Sequence, residues 1–291
     1  MKTIQKFINS GKIISKEYKT DVLNKYDKNK DKFITIDEYL DKELNLGPNE
    51  KSYKTSYNYQ NLHNIYNYFF LIKLKEVNKY KVLCLPNFII NDINLDGTVY
   101  KLRNTILVNI YYNYYIIPKN LKELIEKCRN NKNHILIYLT CGISFGKDID
   151  KKRHTNMVII NLQKNTIERF EPHGNCKRIS DINNKVNILF KKMLKDIDLK
   201  FKYISPIELS NKIGIQEVAD SYSGMCTTIS MLYLQMRLIN LDKKQRDIIN
   251  YFLKKDKKKL KDLILRFAKY IKNKLEKYYI EINNLNNELI Y

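Results

Sequence analysis

The feature that most constrains this fold is a pair of short apolar runs joined by a polar turn, with a cysteine far downstream at the start of a helical pattern. The runs cover residues 157–160 and 167–170, and the turn lies at residues 163–166. Two such runs with a short polar connection predict a β-hairpin. Cys226 opens a stretch with helical spacing that continues to about Leu241. The pattern predicts an α+β fold in which a mixed sheet packs on a helix that begins with a thiol.

Four side chains of this region have the chemistry of a thiol nucleophile with an oriented base: His154, Glu171, Gln216 and Cys226. A thiol at a helix N-terminus has a lowered pKa, because the helix dipole favours the thiolate. His154 can take the thiol proton, and Glu171 on the neighbouring strand can orient the imidazole. Gln216 is the candidate donor to an oxyanion. Each residue alone has an ordinary structural explanation, so the hypothesis depends on the ordered set.

This set also resembles a known family. The order His, acid, Gln, Cys and the 17-residue step from His154 to Glu171 resemble the adenovirus-protease and Ulp1 class of cysteine proteases. The phrases at residues 154–156, 169–174, 224–226 and 233–238 resemble its divergent members in large DNA viruses, including giant viruses. The likeness covers about residues 133–241. It implies a papain-like or Ulp1-like core and a peptidase that cleaves a ubiquitin-like modifier or a viral precursor protein.

The chain departs from that class at several positions. Thr155 follows the histidine, where an aromatic residue is common, and the step from Gln216 to Cys226 is longer than usual. His173 and Asn175 stay open as alternatives to Glu171 for orienting the imidazole. Related folds with such a site also transfer acetyl groups, so a hydroxyl acceptor is as consistent with the sequence as water.

A second motif lies near the N-terminus, at residues 27–38. Its spacing of oxygen ligands resembles an EF-hand loop, which implies Ca²⁺ bound by Asp27, Asn29, Asp31, Phe33 (through its main-chain carbonyl), Thr35 and Glu38. Apolar residues at helical spacing predict an entering helix, and the exit helix is expected at 37–44. The whole EF-hand is expected at about residues 15–46. Lys32 replaces the glycine usual at the sixth position, so it must adopt a backbone conformation that is unfavourable for a side chain, and its ammonium lies near the expected ion.

Residues 92–99 imitate the first half of such a loop, but they are predicted to form a hairpin around Asp96-Gly97. The expected organisation is an EF-hand-like calcium-binding unit at 1–47, a linker at 48–60, and a cysteine-protease-like α+β domain at 61–291. That domain is expected to end in basic amphipathic helices at 243–280. The Tyr- and Phe-rich segment at 62–74 is expected in the core.

Net charge, the length of apolar stretches and the spacing of the cysteines limit the classes of function that the chain can have. The chain has 291 residues and a net charge of +22, from 53 basic and 31 acidic residues, and a field of this size attracts polyanions. No apolar stretch is long enough to span a membrane, and the N-terminus has no apolar signal-peptide region. The five cysteines show no zinc-like pairing, which predicts a reducing, intracellular setting. If the chain is viral, that means host cytoplasm or virion.

The leading hypothesis is therefore a cysteine peptidase with a protein substrate, modulated by Ca²⁺ at the N-terminal unit. The first alternative is a non-catalytic calcium-binding protein on a protease-like fold. The second is a basic protein that binds nucleic acid non-specifically through its charge. The hypotheses differ in the reactivity of Cys226, in Ca²⁺ dependence and in the salt dependence of polyanion binding.

Overall fold

The structure is a computed structural model, and it describes residues 16–44, 82–84, 91–95, 98–102, 105–130, 135–146, 153–209, 213–219 and 225–288. Its helices are α1 (16–26), α2 (Ile36–Leu44), α3 (Leu121–Asn130), α4 (Ser180–Asp196), α5 (Pro206–Leu209), α6 (Ile215–Ala219), α7 (Cys226–Ile239), α8 (Gln245–Leu253) and α9 (Lys257–Glu288). Its strands are β1 (Leu83–Cys84), β2 (Asn91–Leu95), β3 (Thr98–Leu102), β4 (Thr105–Asn109), β5 (Tyr114–Ile116), β6 (Leu136–Ser144), β7 (Arg153–Asn161), β8 (Thr166–Phe170) and β9 (Lys202–Ile204).

The described strands form a seven-stranded mixed sheet and a separate hairpin. The sheet runs in the order β5-β4-β6-β7-β8-β9, and β1 pairs with β6 beside β4. The pairs β6–β7 and β7–β8 are antiparallel, whereas β4–β6 and β8–β9 are parallel. The hairpin predicted around residues 96–97 is confirmed, because β2 and β3 pair with Leu95 opposite Thr98. The α+β arrangement expected from the sequence is therefore present.

The central strands are apolar on both faces because helices cover the sheet on both sides. Along β7, Met157 and Ile159 enter one core cluster with α7, α8 and α9. Val158 and Ile160 enter the other, with α3 and α4. This is the alternation that a pleated strand imposes on successive side chains. Helix α7 packs directly on β7, and its residues 227–239 are all buried.

The two N-terminal helices belong to the same core as α7 and the C-terminal helices. Tyr18, Val22 and Tyr26 of α1, together with Tyr39 and Leu40 of α2, are buried in that cluster. The predicted basic amphipathic helices are α8 and α9, and their buried apolar residues, which lie between Ile248 and Ile271, belong to the same cluster. The boundary predicted at residue 47, the linker at 48–60 and the aromatic segment at 62–74 lie outside the described residues.

Two further findings bear on the setting of the protein. Cys84 of β1 and Cys128 of α3 form a disulfide that closes a separation of 44 residues. A reducing setting predicts free thiols, so this disulfide departs from that expectation. The sequence did not reveal the pair, because the two cysteines meet only when α3 packs on the sheet. Among the described helices, none is both long enough and apolar enough to cross a membrane.

Candidate functional site

His154, Glu171 and Cys226, which we call the thiol site, come together from three elements of the fold. His154 is the second residue of β7, Glu171 directly follows β8, and Cys226 is the first residue of α7. Since β7 and β8 are antiparallel neighbours, the start of one lies beside the end of the other. Helix α7 packs on β7, which brings its first residue to the same end of the sheet.

The His154 imidazole lies between the carboxylate and the thiol. Its Nε2 is 2.5 Å from Glu171 Oε1 in a part-buried contact. The Cys226 thiol also interacts with the imidazole and raises the pKa of the histidine. With Nε2 engaged by the carboxylate, Nδ1 is the nitrogen left for the thiol. A base that is bonded on one side to an acid and on the other to a nucleophile has the geometry of an activated thiol.

Cys226 is half-buried and held against β7 by its helix. The Thr155 main-chain N–H donates to its sulfur. Two hydroxyls of α7 fasten the helix to the same residue: Thr227 Oγ1 donates to Thr155 Oγ1 over 3.1 Å, and Ser230 Oγ donates to the Thr155 carbonyl over 3.2 Å. The position of the sulfur relative to His154 is therefore set by contacts to the next residue of the strand.

These contacts shift all three pKa values in the direction of an ion pair. Burial alone would raise the pKa of Cys226, but the hydrogen bond and charge of His154 and the Thr155 N–H lower it. Burial alone would lower the pKa of His154, but the Glu171 charge and the contact with Cys226 raise it. For Glu171, the imidazolium and the hydrogen bonds outweigh burial and lower the pKa. A thiolate and an imidazolium stabilised by a carboxylate is the reactive form of such a site.

Two rings flank the imidazole. The ring centroids of His154 and Phe145 are 6.4 Å apart in a stacked arrangement, and those of His154 and His173 are 5.0 Å apart. His173 Nδ1 contacts Glu217 Oε1 at 2.6 Å, and the Asn175 amide oxygen accepts from Asn183. Neither alternative orienting residue therefore occupies the place of Glu171 on the histidine.

Gln216 lies on the short helix α6, which is fixed to the turn that follows Glu171. Its main-chain N–H donates to the Pro172 carbonyl over 2.8 Å, and the Gly214 N–H donates to the His173 carbonyl over 2.9 Å. A Cβ on Gly214 would overlap the Gly174 nitrogen, so only two glycines allow this approach. Gln216 is buried, and the described residues provide no hydrogen-bond partner for its Oε1.

Residues that the sequence pattern did not single out complete the surroundings of Glu171. Asn156 Nδ2 donates to Glu171 Oε2 over 2.7 Å, and Arg169 Nη1 donates to Asn156 Oδ1 over 2.5 Å. Both residues are fully buried. A polar residue two positions after the histidine on a strand was the available signal, since residues i and i+2 share a face.

Residues 27–38, which we call the acidic loop, join α1 to α2. Lys32 has φ +62°, so it adopts the left-handed conformation that the missing glycine would supply. The Asp27 carboxylate accepts from the Lys32 N–H over 3.0 Å, and Asp31 accepts from the Phe33 N–H over 2.8 Å. Glu38 Oε2 accepts from both the N–H and the hydroxyl of Thr35. Asp27, Asp31 and Glu38 thus accept hydrogen bonds from the main chain of the loop itself.

Two carboxylate oxygens of the acidic loop are buried and have no hydrogen-bond partner among the described residues: Asp27 Oδ1 and Glu38 Oε1. They belong to the first and twelfth loop positions. A buried carboxylate oxygen without a donor is costly, and a hard cation would satisfy it. No three His, Cys, Asp or Glu side chains of the described residues converge to hold a metal by themselves. A cation here would therefore also need the oxygens of Asn29, Phe33 and Thr35.

The acidic loop is docked on the far end of helix α7. Asn240, the residue that directly follows α7, pairs with both main-chain groups of Ile34: its Oδ1 accepts from the Ile34 N–H over 3.0 Å, and its Nδ2 donates to the Ile34 carbonyl over 2.9 Å. Both residues are buried. Helix α7 therefore carries Cys226 of the thiol site as its first residue, and the residue that directly follows its last turn contacts the acidic loop.

Comparisons with known proteins leave the family open. No family model matches the chain. A protein of Acanthamoeba polyphaga mimivirus, named as an ankyrin repeat protein, is 30% identical over 189 residues, which is 55% of this chain and 23% of that protein. The C-terminal Ulp1 protease domain, solved in complex with Smt3, the yeast ortholog of SUMO, aligns with 76% of this chain and 97% of its own at 14% identity and a TM-score of 0.26. A TM-score this low does not establish a common fold, so the function of this chain has to be inferred from its own side chains.

Proposed function

We propose that the chain is a cysteine peptidase of the ubiquitin-like-protease type, with Cys226 as nucleophile, His154 as base and Glu171 as the group that orients it. The observation that supports this most directly is the half-buried imidazole, whose Nε2 lies 2.5 Å from the Glu171 carboxylate and which also interacts with the Cys226 thiol. A histidine with two such partners has both its tautomer and its orientation determined. An ordinary buried cysteine needs neither partner.

The proposed reaction begins with the thiolate attacking the carbonyl carbon of the scissile bond. The carbonyl π electrons move to the oxygen, and the Gln216 amide is the proposed donor to that oxyanion. As the tetrahedral intermediate collapses, the C–N bond breaks and His154 gives its proton to the leaving amine. This leaves a thioester on Cys226 and a neutral imidazole.

In the second half, the neutral His154 takes a proton from water, and the hydroxide attacks the thioester carbon. The C–S bond breaks, the carboxylic acid leaves, and the thiolate forms again beside the imidazolium. Glu171 stays ionised throughout and stabilises the charged histidine. A hydroxyl acceptor in place of water would give acyl transfer by the same steps.

For the substrate we propose a ubiquitin-like modifier or a viral precursor protein, based on the resemblance of residues 133–241. We further propose that the acidic loop binds Ca²⁺ and modulates the enzyme. The orphan oxygens of Asp27 and Glu38 and the docking of Ile34 on Asn240 support this part. Bound there, Ca²⁺ would supply positive charge to the buried carboxylates.

The test is covalent labelling with ubiquitin-family proteins that carry a C-terminal electrophile, read by intact mass. We expect the wild type to gain the mass of one probe and Cys226→Ser to gain none. Cys176→Ser is the matched control, because Cys176 is also a half-buried free thiol but lies outside the thiol site. It should label like the wild type.

A second arm separates the choice of substrate from the chemistry. The rate of alkylation of Cys226 by iodoacetamide is measured against pH, because the thiolate alone reacts. A profile with its midpoint well below that of an ordinary thiol, without probe labelling, supports a peptidase with another substrate. An ordinary profile, or labelling that persists in Cys226→Ser, overturns the proposal and favours a non-catalytic calcium-binding protein.

A further inference from the structure

We infer that Asn156 is a positioning residue of the thiol site: its amide holds Glu171 in the orientation that His154 requires, and Arg169 holds the amide. The inference rests on the proposed function, because it assigns a role within the same site. It goes beyond the four residues that the sequence singles out for this chemistry.

The hydrogen bonds form one continuous chain from helix α4 to His154, the residue that interacts with the thiol. Arg169 Nη2 donates to the amide oxygens of Asn183 at 3.0 Å and Asn187 at 2.9 Å, both on α4. Its Nη1 donates to Asn156, and Asn156 donates to Glu171 Oε2. Glu171 then binds His154, which binds Cys226. The scaffold of the protein is thereby connected to the nucleophile by directional contacts.

The amide oxygen of Asn156 accepts a hydrogen bond and its amide nitrogen donates one, and these two roles determine the orientation of the amide. The oxygen faces the Arg169 guanidinium, which can only donate, and the nitrogen faces the Glu171 carboxylate, which can only accept. Exchanging the two atoms would place donor against donor and acceptor against acceptor. Arg169 therefore fixes which atom Asn156 presents to Glu171.

Glu171 depends on the hydrogen bond from Asn156 because its second carboxylate oxygen is bonded by no other donor among the described residues. Glu171 is 2% exposed, and Oε1 serves both His154 and the His173 N–H. Asn156 is the donor on Oε2. Without it, a buried carboxylate oxygen loses its partner, and the carboxylate can rotate away from the imidazole. His154 is then less stabilised as the imidazolium, and the thiolate of Cys226 is less favoured.

The experiment compares the pH profile of Cys226 alkylation in wild type, Asn156→Ala and Asn187→Ala. Asn187→Ala removes a different amide from the same guanidinium and leaves the contact between Asn156 and Glu171 in place. For Asn156→Ala we expect the midpoint to rise by about one pH unit, with an alkylation rate about tenfold lower on the acidic limb. Asn187→Ala should follow the wild-type profile.

Two further variants separate positioning from general damage. In a Glu171→Gln background, Asn156→Ala should have little further effect on the profile, because Asn156 acts through Glu171. Asn156→Thr, which suits a strand and has a similar volume, replaces Asn156→Ala if that variant does not fold, and should shift the profile in the same direction.

The outcomes distinguish this inference from the proposed function. If folded Asn156→Ala or Asn156→Thr has the wild-type profile, or if Asn156→Ala shifts it equally with and without Glu171, the positioning role is wrong. If the wild type itself has the profile of an ordinary thiol, the proposed function fails first. A shift in Asn156→Ala that Asn187→Ala lacks supports both.

Discussion

The thiol site and the acidic loop both bury carboxylates, but they satisfy them differently. In the thiol site, both oxygens of Glu171 have protein donors: His154 and the His173 N–H on one, Asn156 on the other. In the acidic loop, Glu38 is 6% exposed and uses one oxygen on Thr35, while the other has no partner among the described residues. Asp27 has the same deficit on one oxygen.

The two regions therefore differ in the source of the positive charge that neutralises their buried carboxylates. The thiol site contains its own counter-charge in the imidazole, so its electrostatics are complete within the folded chain. The acidic loop leaves buried negative charge that an external cation can complete. Helix α7 connects the two, with Cys226 at one end and Asn240 at the other. Matched substitutions in the two regions can test this contrast.

The largest expected effect comes from the same substitution made in both regions. Glu171→Gln removes one charge of a buried pair and should lower the free energy of unfolding by about 3 kcal/mol. Glu38→Gln without Ca²⁺ should change it by less than about 1 kcal/mol, because it removes a charge that lacks a counter-charge. Denaturant unfolding of both variants in chelator provides the measurement.

The pH dependence of the same two variants gives a matching check. Because the folded pKa of Glu171 is below its ordinary 4.5, its stabilisation is present above pH 4.5 and is lost as the pH falls toward the folded value. The wild type should therefore lose stability over that acidic range, and Glu171→Gln should lose less. Equal costs for Glu171→Gln and Glu38→Gln would remove the contrast between the regions.

Added Ca²⁺ should raise the unfolding free energy of the wild type. At a hundredfold excess over Kd we expect a gain of about 2.7 kcal/mol, since the proposed site would exist in the folded loop and not in the unfolded chain. Thermal unfolding with and without Ca²⁺ measures it, and Glu38→Gln should lose most of the gain. A Ca²⁺ effect that survives in Glu38→Gln would place the ion elsewhere.

Asn240→Ala tests the connection between the regions. It removes both hydrogen bonds to Ile34 and leaves buried main-chain groups without partners, so we expect a loss of about 2 kcal/mol in unfolding free energy. Any Ca²⁺ dependence of Cys226 alkylation should also weaken. Calorimetry must show that Ca²⁺ still binds.

The control for Asn240→Ala is Asp242→Asn, which breaks the exposed pair with Lys19 and should cost less than about 1 kcal/mol. If Asp242→Asn changes the alkylation as much as Asn240→Ala does, the route through Ile34 is not the one that matters. A Ca²⁺ response that persists unchanged in Asn240→Ala would lead to the same conclusion.

Lys32→Gly should raise stability slightly and improve Ca²⁺ binding. Glycine adopts φ +62° without the steric penalty of a side chain, so we expect a gain of about 1 kcal/mol in unfolding free energy. Removal of the ammonium should tighten Ca²⁺ binding in isothermal titration. Lys32→Ala separates the two causes, because it removes the charge but keeps the Cβ. If Lys32→Ala is as stable as Lys32→Gly, strain at this position is not the reason.

Much of the fold near the site was predictable because it depends on local pattern. The strands at 157–160 and 167–170, the helix starting at Cys226 and the helices after residue 243 all follow from the spacing of apolar residues, and the structure has them. The backbone conformation at Lys32 also follows from the loop pattern. The order of pairing in the sheet does not, because β4, β6 and β1 meet only through distant segments.

The sequence by itself determined which residue types are the candidates for the proposed chemistry: a thiol at a helix start, a histidine and an acid on neighbouring strands, and oxygens at loop spacing. Local periodicity is enough for that, since it depends on residues a few positions apart. Only the tertiary structure decided that Asn156 and Arg169 support Glu171, that Cys84 joins Cys128, and that Asn240 receives Ile34. The partners in these contacts are 13 to 206 residues apart along the chain, and directional bonds between buried groups exist only once the sheet and helices have packed.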